Sequence, residues 1–165
     1  MLIKHTTTVF AVVFLLLSLV SNNYHPASAD EIPKHRVNNM RHLQQELQCL
    51  TRNVYFESGS EPYRGKVAVA QVTINRMQSG DYPTTICGVV NQRTNDTCQF
   101  SWVCSQGLTV RNQKLYDESH RVAYKVMIDG LRIPELKHAL FFHADYVKPN
   151  WKRKPRAKIG HHIFY

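Results

Sequence analysis

The stretch that most limits what this chain can fold into is PYRGKVAVAQVTINRMQS, residues 62–79. Proline is tolerated in the first turn of a helix and excluded from its interior, and Ser79-Gly80 supplies a stop. The segment therefore reads as one helix from about Pro62 to Gly80. Val67, Ala68, Val69, Ala70, Val72 and Ile74 cover most of its circumference and do not form a single stripe. A helix that is apolar nearly all round has to be buried. The rest of the chain must wrap it, and this predicts a domain built around one central helix.

The flanking segments are of the kind that can do so. Leu43, Leu47, Leu50 and Val54 recur at spacings of four, three and four, which predicts an amphipathic helix from Arg41 to Glu57 ending at Ser58-Gly59. Residues 81–107 are cysteine-bearing and loop-rich, with TICGVV as a short helical turn. A third helix fits Asn112 to Gly130, where Leu115, Val122 and Val126 form one stripe beside Tyr116, Ala123 and Met127. HALFFH and HHIFY then read as two short strands, aromatic and branched, paired antiparallel with a basic, proline-containing connection between them. No internal repeat is visible. The fold class is α+β: a small, mostly helical domain with a short antiparallel sheet near the C-terminus.

The first residues have a different character. A lysine in MLIKHTTT, the apolar run VFAVVFLLLSLV and the small residues Ala27-Ser28-Ala29 have the pattern of a signal peptide over residues 1–29. The run is shorter than the ~20 residues that span a bilayer, so no stable membrane span is expected after its removal. Residues 30–40, polar and containing Pro33, read as a linker, and 41–165 as a single domain. Export changes how the cysteines are read. Cys49, Cys87, Cys98 and Cys104 form an even set in an oxidising compartment, which suggests two disulfides. The short interval from Cys98 to Cys104 favours a local bridge, leaving Cys49 with Cys87. A zinc site is the rival, but no C-x-x-C spacing occurs.

Net charge is +9, from 21 Lys and Arg against 12 Asp and Glu, so a polyanionic partner has to be considered. Export argues against nucleic acid. A cell-wall polymer bearing carboxylates, or an anionic membrane surface, suits the compartment better. Part of the charge is concentrated in KPNWKRKPRAK, Lys148 to Lys158, which reads equally well as a binding segment or as a solvated basic loop.

Two carboxylates flank the break between the first two helices, in YFESGSEP. On an unbroken helix Glu57 and Glu61 would share a face. Gly59 and Pro62 prevent this and put Glu57 in the last turn of one helix and Glu61 at the start of the next. The two ends have opposite dipole signs. A carboxylate at a helix C-terminus, packed against Tyr55 or Phe56, is disfavoured as an anion, and its pKa rises toward that of a general acid working near neutrality. Glu61 meets exposed N–H donors that favour its ionised form. Environments that separate two carboxyl groups in this way mark acid/base assignments.

Four blocks, RNVYFESGSEPYRGKVAVAQVTINR, PTTICGVV, CQFSWVC and HADYVKPNWKRKPRAKIGHHIFY, together resemble the cell-wall hydrolase family of the spore cortex-lytic, SleB-like type. The resemblance runs from about Leu47 to Tyr165. The cysteine-framed block resembles the version found in exported Gram-negative proteins, which implies a periplasmic or secreted location. The resemblance also implies a fold related to lysozyme and lytic-transglycosylase domains, and peptidoglycan as the substrate. The family's catalytic glutamate is the first of an E-x-x-G-E-P-like block, so that role falls on Glu57. Ser-Gly-Ser here replaces the more usual Ala-Arg-Gly, displacing the glycine by one position. No separate peptidoglycan-binding repeat accompanies the domain in this sequence, so binding is expected from the domain itself or from an envelope protein partner.

A lytic transglycosylase acting between N-acetylmuramic acid and N-acetylglucosamine needs one carboxyl group and no cofactor. A two-carboxylate hydrolase needs a second acid at about 5–9 Å. Besides Glu61, only Asp81, Asp96 and Asp145 were available for that part, and none lies in a telling context, so the single-acid scheme is preferred. Gln99, Phe100 and Ser101 are candidates to grip the sugar, with packing as the competing role for Phe100 and Trp102. Tyr146 and Trp151 offer flat faces to sugar rings. Two alternatives remain. His143, His161 and His162 with Asp145 are candidate ligands for the zinc site of an N-acetylmuramoyl-L-alanine amidase, although no H-E-x-x-H pattern is present. A non-catalytic peptidoglycan-binding protein would keep the fold and leave Glu57 idle.

Overall fold

In the computed structural model the described residues are 33–165. The signal-type segment 1–29 and the first residues of the expected linker lie outside them. Residues Asn38–Tyr165 cluster as one unit, and all packing below concerns that unit. Among the described residues no helix is long and apolar enough to cross a membrane.

The central helix is where the apolar pattern puts it. Labelled α2, it runs Tyr63–Ser79, with Pro62 as its N-cap and every residue from Gly65 to Arg76 buried. Leu50 and Val54 of the preceding helix α1 (Lys34–Ser58) pack in the same core, with Ile86, Val89 and Val90 of the short helix α3 (Ile86–Val90). α1 begins seven residues before the expected Arg41 and so takes in much of the stretch read as a linker. Residues 33–45 are all exposed, and Leu43, assigned to the buried stripe, is 47% exposed. Apolar periodicity marks only the part of a helix that packs, whereas the backbone bonds of the helix continue beyond it.

Glu46, buried on α1, receives the Ile86 N–H at 2.5 Å and the Cys87 N–H at 3.4 Å, placing a carboxylate at the N-terminus of α3. The disulfide Cys49–Cys87 joins the same two helices, and Cys98–Cys104 closes the local loop, both as expected from spacing. Between them the structure contains a hairpin missed in the sequence. β1 (Arg93–Thr94) pairs with β2 (Thr97–Cys98) through Asn95 and Asp96, both at positive φ, which these two residue types tolerate better than most. Ser101–Cys104, expected as loop, forms the helical turn α4. Helix α5 (Gln113–Met127) starts after Asn112, whose side chain accepts the Leu115 N–H at 3.1 Å, and buries Val122, Ala123 and Val126 in the core.

The C-terminal sheet has three strands, β3 (Phe142–Ala144), β4 (Ala157–Ile159) and β5 (His162–Phe164), in the order β3-β5-β4 and all antiparallel. β5 pairs with β3 as expected, but the end of the basic connection supplies an additional strand. β3 also begins later than His138, and α2 explains why. Asn75 Nδ2 donates to the carbonyls of Leu136 and Ala139, both at 2.8 Å, and Arg76 Nε donates to that of Leu140 at 2.8 Å. Gln71 exchanges two hydrogen bonds with the backbone of Ile133. Buried amides need partners, and these take carbonyls from residues 133–140, which turn through a 3-10 segment at Pro134–Leu136 before strand geometry begins.

Candidate active site

The site grows from the break between α1 and α2. Ser58 Oγ donates back to the Val54 carbonyl at 2.9 Å, and Gly59 N–H to that of Tyr55 at 3.0 Å. A Cβ at Gly59 would run into the Tyr55 carbonyl oxygen, so the turn requires glycine. The Glu61 N–H then bonds to the Ser58 carbonyl at 2.9 Å, and Pro62 opens the next helix. Glu57 and Glu61 therefore occupy opposite kinds of helix end, as read from the sequence.

Their surroundings differ more than their positions do. Glu57 lines a cleft of about 310 Å³. Arg76, Cys98, Gln99, Phe100, Ser101, Phe141, Phe142 and Trp151 complete its lining. Burial raises the Glu57 carboxyl from its ordinary 4.5 to about 7, while the positive charge of Arg76 pulls it back down. The main cause is loss of water, contributed by residues far away in sequence. Of the residues lining this cleft, Glu57 is the one carboxylate.

Arg76 was not singled out in the sequence, although a charge inside a helix read as buried all round was a usable signal. It is 4% exposed. Besides the bond from Nε to Leu140, its guanidinium carbon lies 5.4 Å from the Tyr82 ring centroid and 5.1 Å from that of Phe100. Nη1 is buried and makes no hydrogen bond among the described residues. Burial pushes the guanidinium's pKa down, and the neighbouring Tyr82 and Glu57 push it up. An arginine so placed stays charged.

Gln99, Ser101 and Trp151 join Glu57 as expected, and the first two are exposed. Phe100 also lines the cleft but is 3% exposed, so it acts mainly as a wall and as the ring beneath Arg76. Trp102 packs instead: it stacks on Phe56 at 4.6 Å between centroids and donates from Nε1 to Asn53 at 3.0 Å. Trp151, 41% exposed, has its ring 5.4 Å from His143, 5.5 Å from Tyr165 and 5.9 Å from Phe141.

Two of the expected substrate contacts lie outside this cleft lining. Glu61 is 9% exposed and does not line the cleft; its Oε2 accepts the His161 N–H at 2.9 Å. Gly160, at φ +57, lies so close that a Cβ there would collide with the same oxygen. Glu61 thus fastens the β4–β5 turn to the start of α2. Tyr146 is 82% exposed just beyond β3 and also lies outside the cleft lining.

Two of the three candidate histidines have polar partners, and the buried Nδ1 of His162 has none among the described residues. His143 Nδ1 meets the Ala144 carbonyl at 2.8 Å, which only an N–H can do, and Nε2 lies 2.9 Å from the Tyr165 hydroxyl. Asp145 pairs with Lys158 at 2.8 Å and lies 3.6 Å from His161 Nδ1. Among the described residues no three His, Cys, Asp or Glu side chains are grouped to hold a metal ion. A larger hollow of about 600 Å³, beside Arg132, Lys137 and His138, has no carboxylate in its lining.

The domain is thus small and α+β, with one carboxyl group in an aromatic and amide-lined cleft. Residues 60–165 match the family described as Cell Wall Hydrolase, and the chain belongs to that family. The match begins three residues after Glu57. The chain is 31% identical over 125 residues to the spore cortex-lytic enzyme of Bacillus cereus, covering 73% of this chain and 44% of that protein. It is 27% identical to the enzyme of the same description from Bacillus subtilis, covering 72% of this chain and 37% of that protein. The chain thus spans less than half the length of these relatives. Among solved structures it is similar to the catalytic domain of the Bacillus cereus SleB protein, with a TM-score of 0.54, 30% identity, and coverage of 73% of this chain and 89% of that one. It is likewise similar to the catalytic domain of the germination-specific lytic transglycosylase SleB from Bacillus anthracis, with a TM-score of 0.58, 31% identity, and coverage of 73% and 93%.

Proposed function

We propose that this domain cleaves the glycan strand of peptidoglycan as a lytic transglycosylase, with Glu57 as its only acid and base. The observation that carries the reading is the lone cleft carboxyl with a pKa near 7. Protonated Glu57 donates its proton to the glycosidic oxygen between N-acetylmuramic acid C1 and N-acetylglucosamine, and the C1–O bond breaks. The carboxylate left behind takes the proton of the muramic 6-hydroxyl as O6 attacks C1. An anhydro ring forms, Glu57 regains its proton, and no water is consumed. Arg76, fixed beside the acid, stabilises the carboxylate while it exists. Gln99 and Ser101 suit the N-acetyl and hydroxyl groups of the sugar, and Trp151 offers a face to a ring. The two disulfides suit an oxidising compartment, the periplasm or the exterior.

Mass spectrometry of purified peptidoglycan after digestion tests the reading. Anhydro-muropeptides are expected. Reducing muramic ends would replace it with a hydrolase, freed stem peptides with an amidase, and an unchanged sacculus with a binding protein.

A further inference from the structure

From Trp151, in the lining of the cleft, the chain runs on into its most cationic stretch. Lys148 to Lys158 contains six Lys and Arg and no Asp or Glu, so the segment has no means of neutralising itself. Lys158 has Asp145 as a partner, at 2.8 Å. Lys148, Lys152 and Lys154 are exposed and carry no ion pair among the described residues. Like charges at this density repel one another unless an anion is brought to them.

This segment is anchored to the site. Trp151, within it, is a wall of the Glu57 cleft and is held by the rings of Phe141, His143 and Tyr165. Two residues on, the Arg153 guanidinium lies 4.0 Å from the centroid of Phe141, another wall of the same cleft. A cation–π contact this close fixes the charge at the cleft's edge. Pro149 and Pro155 keep the stretch out of a helix, and residues 150–156 are exposed.

We propose that Lys152, Arg153 and Lys154 form a carboxylate-binding rim that takes the peptide stems of the glycan, so that the domain selects peptide-bearing strands over stripped ones. This rests on the reading of the Glu57 cleft as a glycan-cleaving site. The substrate suits the geometry: peptidoglycan carries its sugars along a strand and its free carboxylates on stems attached to the muramic residues. A sugar seated by Trp151 presents its stem to the charges beside that ring.

Binding and cleavage separate the two readings. The full chain carrying Glu57→Gln is tested in solution, by fluorescence anisotropy, with glycan strands freed from cross-links by an endopeptidase and still bearing stems, and with strands whose stems an amidase has removed, leaving one lactyl carboxylate on each muramic residue, at low and raised salt, alone and with K152E/K154E added. Tighter binding to stem-bearing strands, by about tenfold at low salt, is expected from two or three exposed charge pairs. Raised salt and K152E/K154E should each bring that ratio toward one, and the same collapse should appear in the KM ratio of the active chain on the two substrates. Equal binding to stem-bearing and stripped strands overturns the proposal. So does a K152E/K154E chain that keeps its preference for stem-bearing strands and instead loses binding to phosphatidylglycerol vesicles, which would assign the rim to a membrane surface. If the active chain releases no anhydro product while the salt-sensitive preference persists, the transglycosylase reading fails and the rim stands.

Discussion

The end of α1 presents a part-buried glutamate and the start of α2 a buried one, and the two have opposite surroundings. Glu61 has a partner: the His161 N–H, from a turn one hundred residues away, meets its carboxylate at 2.9 Å. Glu57 has no such bond among the described residues, and lines a cleft whose walls remove water and supply one fixed cation. A satisfied buried carboxylate is a fastener, whereas one that is desolvated without a partner favours its protonated form. The proposed division of labour at this break, one glutamate for structure and one for chemistry, rests on what closes over each.

The largest effect should come from removing the proton carrier. Glu57→Gln is expected to lower release of anhydro-muropeptides by about 10²–10⁴-fold while leaving circular dichroism unchanged. The same substitution should raise stability at alkaline pH. A carboxyl whose folded pKa is raised to about 7 favours the folded state fully below about 4.5, and that contribution is lost as pH rises through 7. Relative to the parent, the Gln variant should therefore gain up to about 3 kcal/mol in urea unfolding between pH 4.5 and 8. A pH-independent difference would show that Glu57 is not desolvated as described.

Glu61→Ala should show the reverse. Removing the carboxylate from the part-buried His161 N–H costs about 1 kcal/mol of stability, with turnover per folded molecule reduced far less than by Glu57→Gln. Equal losses of activity from the two would erase the distinction. Gly160→Ala should cost about 1–2 kcal/mol through its left-handed backbone and the collision with Glu61, and less in a Glu61→Ala background. Thermal melts of the four proteins give the coupling. The smallest effect at neutral pH concerns Arg76. Cleavage by a protonated acid should fall as pH rises past about 7, and Arg76→Met, lacking the charge that holds Glu57 down, should move that fall to higher pH, with Arg76→Lys keeping it near the parent. A profile that does not move in a folded Arg76→Met chain would remove Arg76 from the acid's environment.

Much of the frame was legible because it rests on local rules. Pro62 and Gly80 bracket α2, and Asn112 caps α5 through its own third neighbour. What escaped was set by distant partners. β3 starts at Phe142 because Asn75 and Arg76 hold the carbonyls before it, and β4 exists because β5 offers it an edge. Tyr146 and Trp151 read alike in the sequence, and the fold sets only Trp151 in the cleft lining.

By itself the sequence determined that a helix apolar all round must be central, that two cysteine spacings imply two bridges, and that the chain breaks between Glu57 and Glu61. These follow from propensity, periodicity and loop length, which act over a few residues. The helix ends already separated the two glutamates; only the tertiary structure decided how far water is removed from Glu57 and that Glu61 fastens a turn. That outcome depends on the walls supplied by residues 98–101 and by Phe141, Phe142 and Trp151, on a cation from α2, and on one N–H at His161, and no local stretch of sequence contains all three.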